Sequence, residues 1–179
     1  MRPRVGRLRP VQRPSHPRLT PRRCRTTSLL VVLAVIPALS ACTLQKWPVD
    51  SPMISPFGLR LLGWKPDLHR GVDLDVPTGT EIMAMTDGRV RYARAMSGYG
   101  NVIWLEHSGD VLTLYAHLSS IQVTEGASVT GGDIIGLSGA SGDVTGPHLH
   151  FEVWRRGRQV DPVPLLGGPP GSLRFEAAR

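Results

Sequence analysis

The sequence predicts a small all-β domain built from antiparallel sheets over residues 54–164. Short runs of apolar residues recur along this region, separated by many of the chain's 20 glycines. No helical period is sustained over a window of about 11 residues there. A region of roughly 110 residues is long enough to bury one hydrophobic core. We therefore expect one sandwich or barrel-like domain with an open groove.

Five segments carry the strand prediction. Three of them follow one another closely, and the last two of these three are joined by a tight turn at Ser108-Gly109. The predicted strands cover residues 88–96, 101–107, 110–117, 133–137 and 148–154. The Gly/Ser-rich segment 138–146, just before the last strand, is predicted to be a loop at the rim of a cleft.

The last strand carries two histidines on one face. His148 and His150 are two residues apart, so their side chains point the same way in a strand. Leu149, Phe151 and Val153 fall on the opposite face and are apolar. A single histidine is more often an ordinary surface or core residue. Two imidazoles on one face instead suit metal binding or proton transfer.

Two further segments offer groups of the same chemistry. If residues 69–73 are extended, their even spacing places His69 and Asp73 on one face. Two histidines and one carboxylate, with a fourth position left for water, are the ligands of a catalytic zinc site. The same set also holds Fe(II) in non-haem oxygenases. His117 lies at the end of the alternating run 111–114, in Tyr115-Ala116-His117-Leu118.

The three segments together resemble a known family. Their order in the chain is similar to that in the lysostaphin/LytM-type zinc metallopeptidases, which cut peptide bridges in bacterial cell walls. The resemblance extends from about residue 54 to about residue 164. It implies the duplicated hybrid motif fold and murein endopeptidase activity. The matching motifs are His-x-x-x-Asp at 69–73, Tyr-x-His-Leu at 115–118 and Gly-Pro-His-Leu-His-Phe-Glu at 146–152.

The resemblance also implies roles for individual residues. It makes His69, Asp73 and His150 the ligands of Zn²⁺, and it makes His148 and His117 the catalytic pair. Which of these two is the general base and which stabilises the oxyanion stays open.

Four further acidic or histidine residues are not assigned a role by these motifs. By alternation, Asp75 and Glu152 share a face with the ligands, where they would orient imidazoles or be ordinary solvated residues. His16 and His107 match no family motif. We interpret them as a tail residue and a hairpin-turn residue.

The N-terminal region is predicted to be a signal peptide covering residues 1–41. Residues 1–28 contain nine arginines, five prolines and no acidic residue, as in a basic n-region. Residues 29–39 form an apolar run of 11 residues, which suits an h-region and is too short to span a bilayer. Residues 39–42, Leu-Ser-Ala-Cys, resemble the lipobox of bacterial lipoproteins, which makes Cys42 the lipidated residue. A tether over residues 42–53 and a flexible tail over 165–179 complete the predicted organisation.

Removal of the predicted signal peptide changes the net charge of the protein. The whole chain has a formal net charge of +7, but residues 43–179 hold 12 Lys and Arg against 14 Asp and Glu, a net charge of −2. A domain without a basic surface is not expected to bind nucleic acid. Cys42 is the last cysteine in the chain, so the domain has no intramolecular disulfide. We expect a monomer.

The predicted function is a zinc metalloendopeptidase that hydrolyses peptide cross-links of peptidoglycan. One alternative is a LytM-like regulator without catalysis, which would use the groove to bind and activate another wall hydrolase. The other is an iron oxygenase, against which export and the additional histidines argue. We expect the protein to face the periplasm, anchored to a membrane through Cys42. Thr43, rather than Asp, follows the cysteine, which favours the outer membrane if the cell has two.

Overall fold

The computed structural model describes residues 45–62 and 64–170, and the regular structure of these residues is almost entirely β. One 3-10 turn, Val163–Leu165, follows the last strand. The all-β prediction is confirmed, and the five predicted strands correspond to β6, β7, β8, β11 and β12. The strands are β1 (Met53–Ser55), β2 (Gly58–Leu62), β3 (Lys65–His69), β4 (Val72–Leu74), β5 (Glu81–Met83), β6 (Gly88–Met96), β7 (Gly100–His107), β8 (Val111–Leu118), β9 (Ser120–Ile121), β10 (Ser128–Val129), β11 (Ile134–Leu137), β12 (Leu149–Arg155) and β13 (Arg158–Val160).

An eight-stranded sheet organises the domain. Its order is β1-β4-β12-β8-β7-β6-β10, with β13 paired to β12, and the strand pairs are antiparallel. A three-stranded sheet, β5-β11-β9, and the hairpin β2-β3 complete the described fold. β12 lies between β4 and β8. The strand that contains His150, and that His148 immediately precedes, is therefore flanked by the strands that contain Asp73 and His117.

The apolar face of β12 is part of the core. Leu149, Phe151 and Val153 are fully buried, as the alternation predicted. The ring of Phe151 packs against Tyr115 at a centroid distance of 5.3 Å and against Trp47 at 6.2 Å. Burial of a large apolar side chain contributes about 1.5–3 kcal/mol. The position of β12 is thus fixed by packing that requires no metal.

Most of the segment expected to be a tether packs on the domain instead. Val49 is only 8% exposed, and Trp47 contacts the core. The indole Nε1 of Trp47 donates to the carbonyl oxygen of Gly168 at 2.9 Å, and the Lys46 N–H donates to the carbonyl of Met85 at 3.0 Å. Two large apolar side chains gain burial in this way, so residues 46–53 belong to the folded unit.

The C-terminal segment also differs from the expected flexible tail. Leu165 and Leu166 pack against the core, and the Gly168 N–H donates to the Val163 carbonyl at 3.1 Å. The predicted signal peptide, Cys42, His16 and residues 171–179 lie outside the described residues. Within the described ranges, no helix has the length and apolar character needed to cross a membrane.

His107 ends β7 beside the predicted turn, but its side chain is buried in a chain of polar groups. Its Nδ1 lies 2.8 Å from the carbonyl oxygen of Asp87, which only accepts, so Nδ1 carries the proton. Nε2 lies 2.7 Å from the Thr113 hydroxyl oxygen. The Tyr115 hydroxyl lies 3.0 Å from that of Thr113 and accepts from the Met85 N–H at 3.0 Å. Burial of the imidazole favours its neutral form.

Acidification is expected to destabilise the domain through His107. Burial lowers the pKa of this imidazole from its ordinary value of 6.5. The unfolded chain therefore binds more protons between the two pKa values, and the free energy of unfolding falls as the pH decreases through that interval. Urea denaturation at about pH 7.5 and about pH 5 measures the loss. The wild type should lose more stability than His107→Gln, and equal losses would contradict the assignment.

Candidate metal centre and groove

His69 and Asp73 reach the site from two different strands. His69 ends β3 in the hairpin, whereas Asp73 lies in β4 of the large sheet, so the expected single extended segment does not exist. The chain turns between them at Arg70 and Gly71. An ideal Cβ on Gly71 would lie 2.5 Å from the Phe151 carbonyl oxygen, an approach that only glycine allows. The turn joins the hairpin to the large sheet at the site.

The register of β12 places its histidines beside these residues. His150 pairs with Asp73 across β4 and with Ala116 across β8. Residues directly opposite each other in an antiparallel pair have Cβ atoms about 4.5–5.5 Å apart. His148 precedes β12 and forms a bridge with Gly139. One groove is thus lined by all the residues that the sequence singled out for metal binding or catalysis: His69, Asp73, His117, His148 and His150.

Three ligand atoms converge at this site. Asp73 Oδ1 lies 3.1 Å from His69 Nε2 and 2.8 Å from His150 Nδ1. The two nitrogens are 3.2 Å apart. All three residues are buried, with exposures of 3% for His69, 9% for Asp73 and 8% for His150. This cluster is arranged so that it could hold a metal ion.

The other polar atom of each of these residues is bound by a neighbour. His69 Nδ1 donates to a backbone carbonyl oxygen at 2.8 Å, and His150 Nε2 donates to Glu152 Oε1 at 3.1 Å. Arg60 Nη1 donates to Asp73 Oδ2 at 3.2 Å. Such outer contacts fix the tautomer and ring orientation of a ligating histidine. Each imidazole therefore turns its other nitrogen toward the other two ligand atoms, and in the neutral ring that nitrogen carries no proton.

This donor set fits a cation. Three accepting atoms about 3 Å apart repel one another unless positive charge lies between them. Burial raises the pKa of Asp73, but the hydrogen bonds with His150 and His69 outweigh it and hold the pKa well below its usual range. Burial lowers the pKa of His150, but its hydrogen bonds with Asp73 and Glu152 raise that pKa above the ordinary value. The site thus favours positive charge.

His117 and His148 lie side by side next to this cluster, with ring centroids 4.8 Å apart. His117 Nδ1 is 2.9 Å from the carbonyl oxygen of Ser141, and His148 Nδ1 is 3.0 Å from that of Gly146. A carbonyl only accepts, so Nδ1 carries the proton in both rings. His148 Nε2 lies 3.8 Å from Asp73 Oδ1. Each neutral ring therefore keeps a lone pair on Nε2 that can accept a proton.

The backbone of His117 is held in an unusual conformation. Its φ of 62° is in the left-handed region, which costs a residue other than glycine about 1–3 kcal/mol and is typical of functional sites. Its N–H donates to the Tyr99 carbonyl at 2.9 Å. Burial lowers the pKa of the imidazole to about 4, although the hydrogen bond to Ser141 acts in the opposite direction. The ring is therefore neutral near pH 7.

Comparison with known proteins identifies the family. The model of peptidase family M23 matches residues 67–162, more than half of the chain, and this range includes all five of these residues. The chain belongs to peptidase family M23. The resemblance deduced from the three motifs is therefore confirmed.

Two curated relatives of the M23 domain carry different descriptions. DD-carboxypeptidase/endopeptidase Mpg of Neisseria meningitidis serogroup B is 44% identical over 128 residues, which cover 69% of this chain and 29% of that protein. The murein hydrolase activator EnvC of Escherichia coli is 39% identical over 124 residues, which cover 68% of this chain and 28% of that protein. The chain thus spans less than a third of the length of either relative.

Solved structures confirm the fold of the M23 domain. A zinc-containing peptidase from Vibrio cholerae has a TM-score of 0.62 and 36% identity, covering 66% of this chain and 39% of that one. The catalytic domain of lysostaphin from Staphylococcus simulans has a TM-score of 0.61 and 34% identity, covering 66% of this chain and 94% of that one. The described fold therefore accounts for nearly all of an M23 catalytic domain.

Glu152 and Tyr99 also belong to this site of the M23 domain. The sequence left the role of Glu152 open and did not indicate Tyr99. Glu152, fully buried, accepts from Trp154 Nε1 at 2.6 Å and from the Tyr99 hydroxyl at 2.9 Å, besides holding His150. Burial and the Glu152 carboxylate raise the pKa of Tyr99 to about 12. No periodic pattern marked Tyr99, because it lies in a glycine-flanked turn. Asp75 is exposed and hydrogen bonds through its backbone, so of the two proposed orienting carboxylates only Glu152 contacts a histidine.

A groove of about 540 Å³ crosses the M23 domain at these residues. Arg60 and Leu68 of the hairpin line one side. Asp143 and Thr145, from the Gly/Ser-rich loop, also line it, as expected for a loop at the rim of a cleft. Tyr99 and the histidines lie along the same groove. An extended peptide is the shape that fits such an open groove.

Proposed function

We propose that this protein is a zinc metalloendopeptidase that hydrolyses peptide cross-links of bacterial peptidoglycan. The observation that carries the proposal is the set of side-chain orientations in the groove. Three ligand atoms converge, with the outer polar atom of each residue bound elsewhere, and two further imidazoles beside them have Nδ1 on a carbonyl oxygen, which leaves Nε2 available. A regulator that only bound a partner would have no need for this alignment.

Zinc is the metal that the donor set suits best. Two imidazole nitrogens and one carboxylate oxygen, with an open position, are typical of catalytic zinc sites. When bound, zinc supplies a Lewis acid that polarises the scissile carbonyl and makes water acidic enough to ionise near neutral pH. His69, Asp73 and His150 would hold it. The zinc-containing relative from Vibrio cholerae supports this choice. Metal analysis of the purified protein tests it, and iron in place of zinc would restore the oxygenase alternative.

His148 and His117 would move the protons of the reaction. Hydrolysis of an amide needs one group to accept a proton from water and to return one to the leaving amine, and another to stabilise the oxyanion. Both rings have Nδ1 fixed on a carbonyl, so Nε2 is the atom that acts in each. His148 Nε2 faces Asp73 and therefore lies nearer the ligand atoms, which favours His148 as the base.

The proposed substrate is the cross-link between D-alanine and a diamino acid. The similarity to a DD-carboxypeptidase/endopeptidase supports this choice over glycine bridges, as does the periplasmic location proposed below. The test is digestion of purified cross-linked peptidoglycan by the full chain, loaded with zinc in detergent, with fragments identified by mass. We expect conversion of cross-linked dimers to monomers. Cleavage of glycine bridges alone would show that the substrate assignment is wrong.

A second candidate is a regulator that activates another wall hydrolase. The similarity to EnvC, described as a murein hydrolase activator, favours it. The same digestion distinguishes the two functions if a second sample receives the cell's other wall hydrolases. Activity that appears only in the second sample, and that survives substitution of His148, would support the regulator.

We also propose that Cys42 is lipidated and anchors the protein to a membrane facing the periplasm, the outer membrane in a cell with two. The lipobox-like Leu-Ser-Ala-Cys sequence supports this proposal. Cys42→Ala is expected to release the protein from the membrane fraction, since each buried CH₂ of a lipid chain contributes about 0.8 kcal/mol. Cell fractionation followed by immunoblotting measures how much of the protein stays in the membrane fraction. Full retention of the variant would mean that residues 29–39 stay as an uncleaved anchor.

A further inference from the structure

Two arginines line the groove, and one of them is held by three contacts within the protein. Arg60 donates from Nε to Asp67 at 2.8 Å and from Nη1 to Asp73 at 3.2 Å and Ser55 at 2.8 Å. These contacts position Asp73 for its proposed ligand role. They leave only Nη2 of Arg60 to bind a substrate.

The second arginine, Arg70, is uncommitted. It is exposed, lines the groove, and forms no salt bridge or side-chain hydrogen bond with any residue in 45–62 or 64–170. Four carboxylates line the groove; Asp67, Asp73 and Glu152 are bound by other residues, and Asp143 forms no salt bridge with Arg70. Asp73 is held by Arg60 and two histidines, and Glu152 by His150 and two aromatic donors.

The position of Arg70 is fixed by its chain neighbours. His69 before it is one proposed ligand. The ideal Cβ of Gly71 after it would lie 3.0 Å from Cε1 of His150, another proposed ligand. Tyr99 lines the same groove, with its ring 5.8 Å from that of His150. Arg70 is therefore next to a proposed ligand in the chain, and its side chain lines the groove that holds the proposed metal site.

We propose that Arg70 selects peptides that carry a free carboxylate on the carbon bonded to the leaving nitrogen. This inference rests on the proposed function and narrows its substrate class. Guanidinium binds carboxylate through two parallel N–H···O bonds, a geometry that selects for this group. In a cross-link between D-alanine and a diamino acid that has a carboxyl group at each end, the carbon that bears the leaving amine carries a free carboxylate. The interior of a glycine bridge has none.

The same chemistry extends to a second class of bond. A stem peptide that ends in D-alanyl-D-alanine also has its leaving nitrogen on a carbon with a free carboxylate. One subsite would therefore accept cross-links and uncross-linked C-terminal D-alanine. Peptides in which that carboxylate is amidated would be poor substrates, because the guanidinium would face a neutral group.

The experiment compares two matched stem peptides, one ending in D-alanyl-D-alanine and one ending in its C-terminal amide. Zinc-loaded full chain is assayed for kcat/KM on both. We expect the wild type to prefer the free acid by about 10- to 100-fold, the range of a charge-assisted hydrogen bond. Arg70→Gln should lose this preference by slowing cleavage of the acid alone, and Arg70→Lys should keep part of it. Arg158→Gln, an exposed arginine of β13, is the matched control and should behave as wild type.

A binding measurement separates failure of this inference from failure of the proposed function. The dissociation constants of both peptides are measured by calorimetry on His148→Ala and on His148→Ala/Arg70→Gln. The inference would be supported, even if no peptide is cleaved, if the acid bound more tightly than the amide to His148→Ala and this difference disappeared in His148→Ala/Arg70→Gln. Equal binding of the acid and the amide by the protein with Arg70 would overturn it, as would equal rates of cleavage where both peptides are cleaved. An equal loss on both peptides in Arg70→Gln would also overturn it, because the arginine would then act on the site and not on the carboxylate.

Discussion

Asp73→Asn is expected to abolish peptidoglycan hydrolysis and to weaken zinc binding by at least ~100-fold, the upper end of losses seen when a ligand's orienting partner is removed. The amide keeps the shape of the side chain but loses the negative charge that two imidazoles and Arg60 surround. The fold should survive, because Val72 and Leu74 on either side are fully buried. Chelator competition measures the zinc affinity, and release of monomers from cross-linked dimers measures activity.

Asp75→Asn is the matched control for this variant. It removes the same charge two residues away, from an exposed carboxylate that contacts none of the ligand residues. Zinc affinity and activity should both stay at the wild-type level. If Asp73→Asn bound zinc as tightly as Asp75→Asn, Asp73 would not be a ligand.

His148→Ala is expected to lose activity by about 10²- to 10⁴-fold, the usual contribution of a general acid–base group, while it retains zinc. Its Nδ1 is fixed on a carbonyl oxygen, and its Nε2 faces Asp73 from 3.8 Å without joining the three converging ligand atoms. Metal content and turnover of the same preparation test the two halves of this expectation separately.

Substitution of the neighbouring histidines shows which imidazoles bind zinc and which only transfer protons. His150→Ala should lose both zinc and activity, because His150 supplies one of the converging atoms and is bound by Glu152. His117→Ala should retain zinc, as His148→Ala does. If His148→Ala lost the metal and His150→Ala kept it, the assignment of these two residues would have to be reversed.

Much of this site could be predicted because strands impose a period of two. The alternation around His148 and His150 identified both the imidazole face and the buried face of Leu149, Phe151 and Val153. The ends of the long strands were also close to the observed ones, since glycines and polar turns bound them. The hydrophobic pattern of a half-buried strand lies within the strand's own sequence, so it predicts the buried face without knowledge of the neighbouring strands.

The remaining parts depend on tertiary contacts that no local pattern contains. His69 and Asp73 come together through a change of sheet at Gly71, which is set by the close approach of the Phe151 carbonyl. Trp47 lies in a proline-containing segment that reads as a linker, and only its packing on Phe151 makes it part of the domain. Tyr99 enters the groove from a turn. Turns have no period from which an orientation could be deduced.

The packing of residues 46–53 has a consequence for where the enzyme can work. Gln45 lies beside Val111 and Arg155, which are at the ends of β8 and β12 opposite to His117 and His150. Strands of seven or eight residues separate these ends by roughly 20 Å. A lipid on Cys42 would leave only two residues before Gln45, a reach of about 10 Å at most. The groove would then lie no more than roughly 30 Å from the bilayer, so a wall strand would have to pass within that layer to be cut.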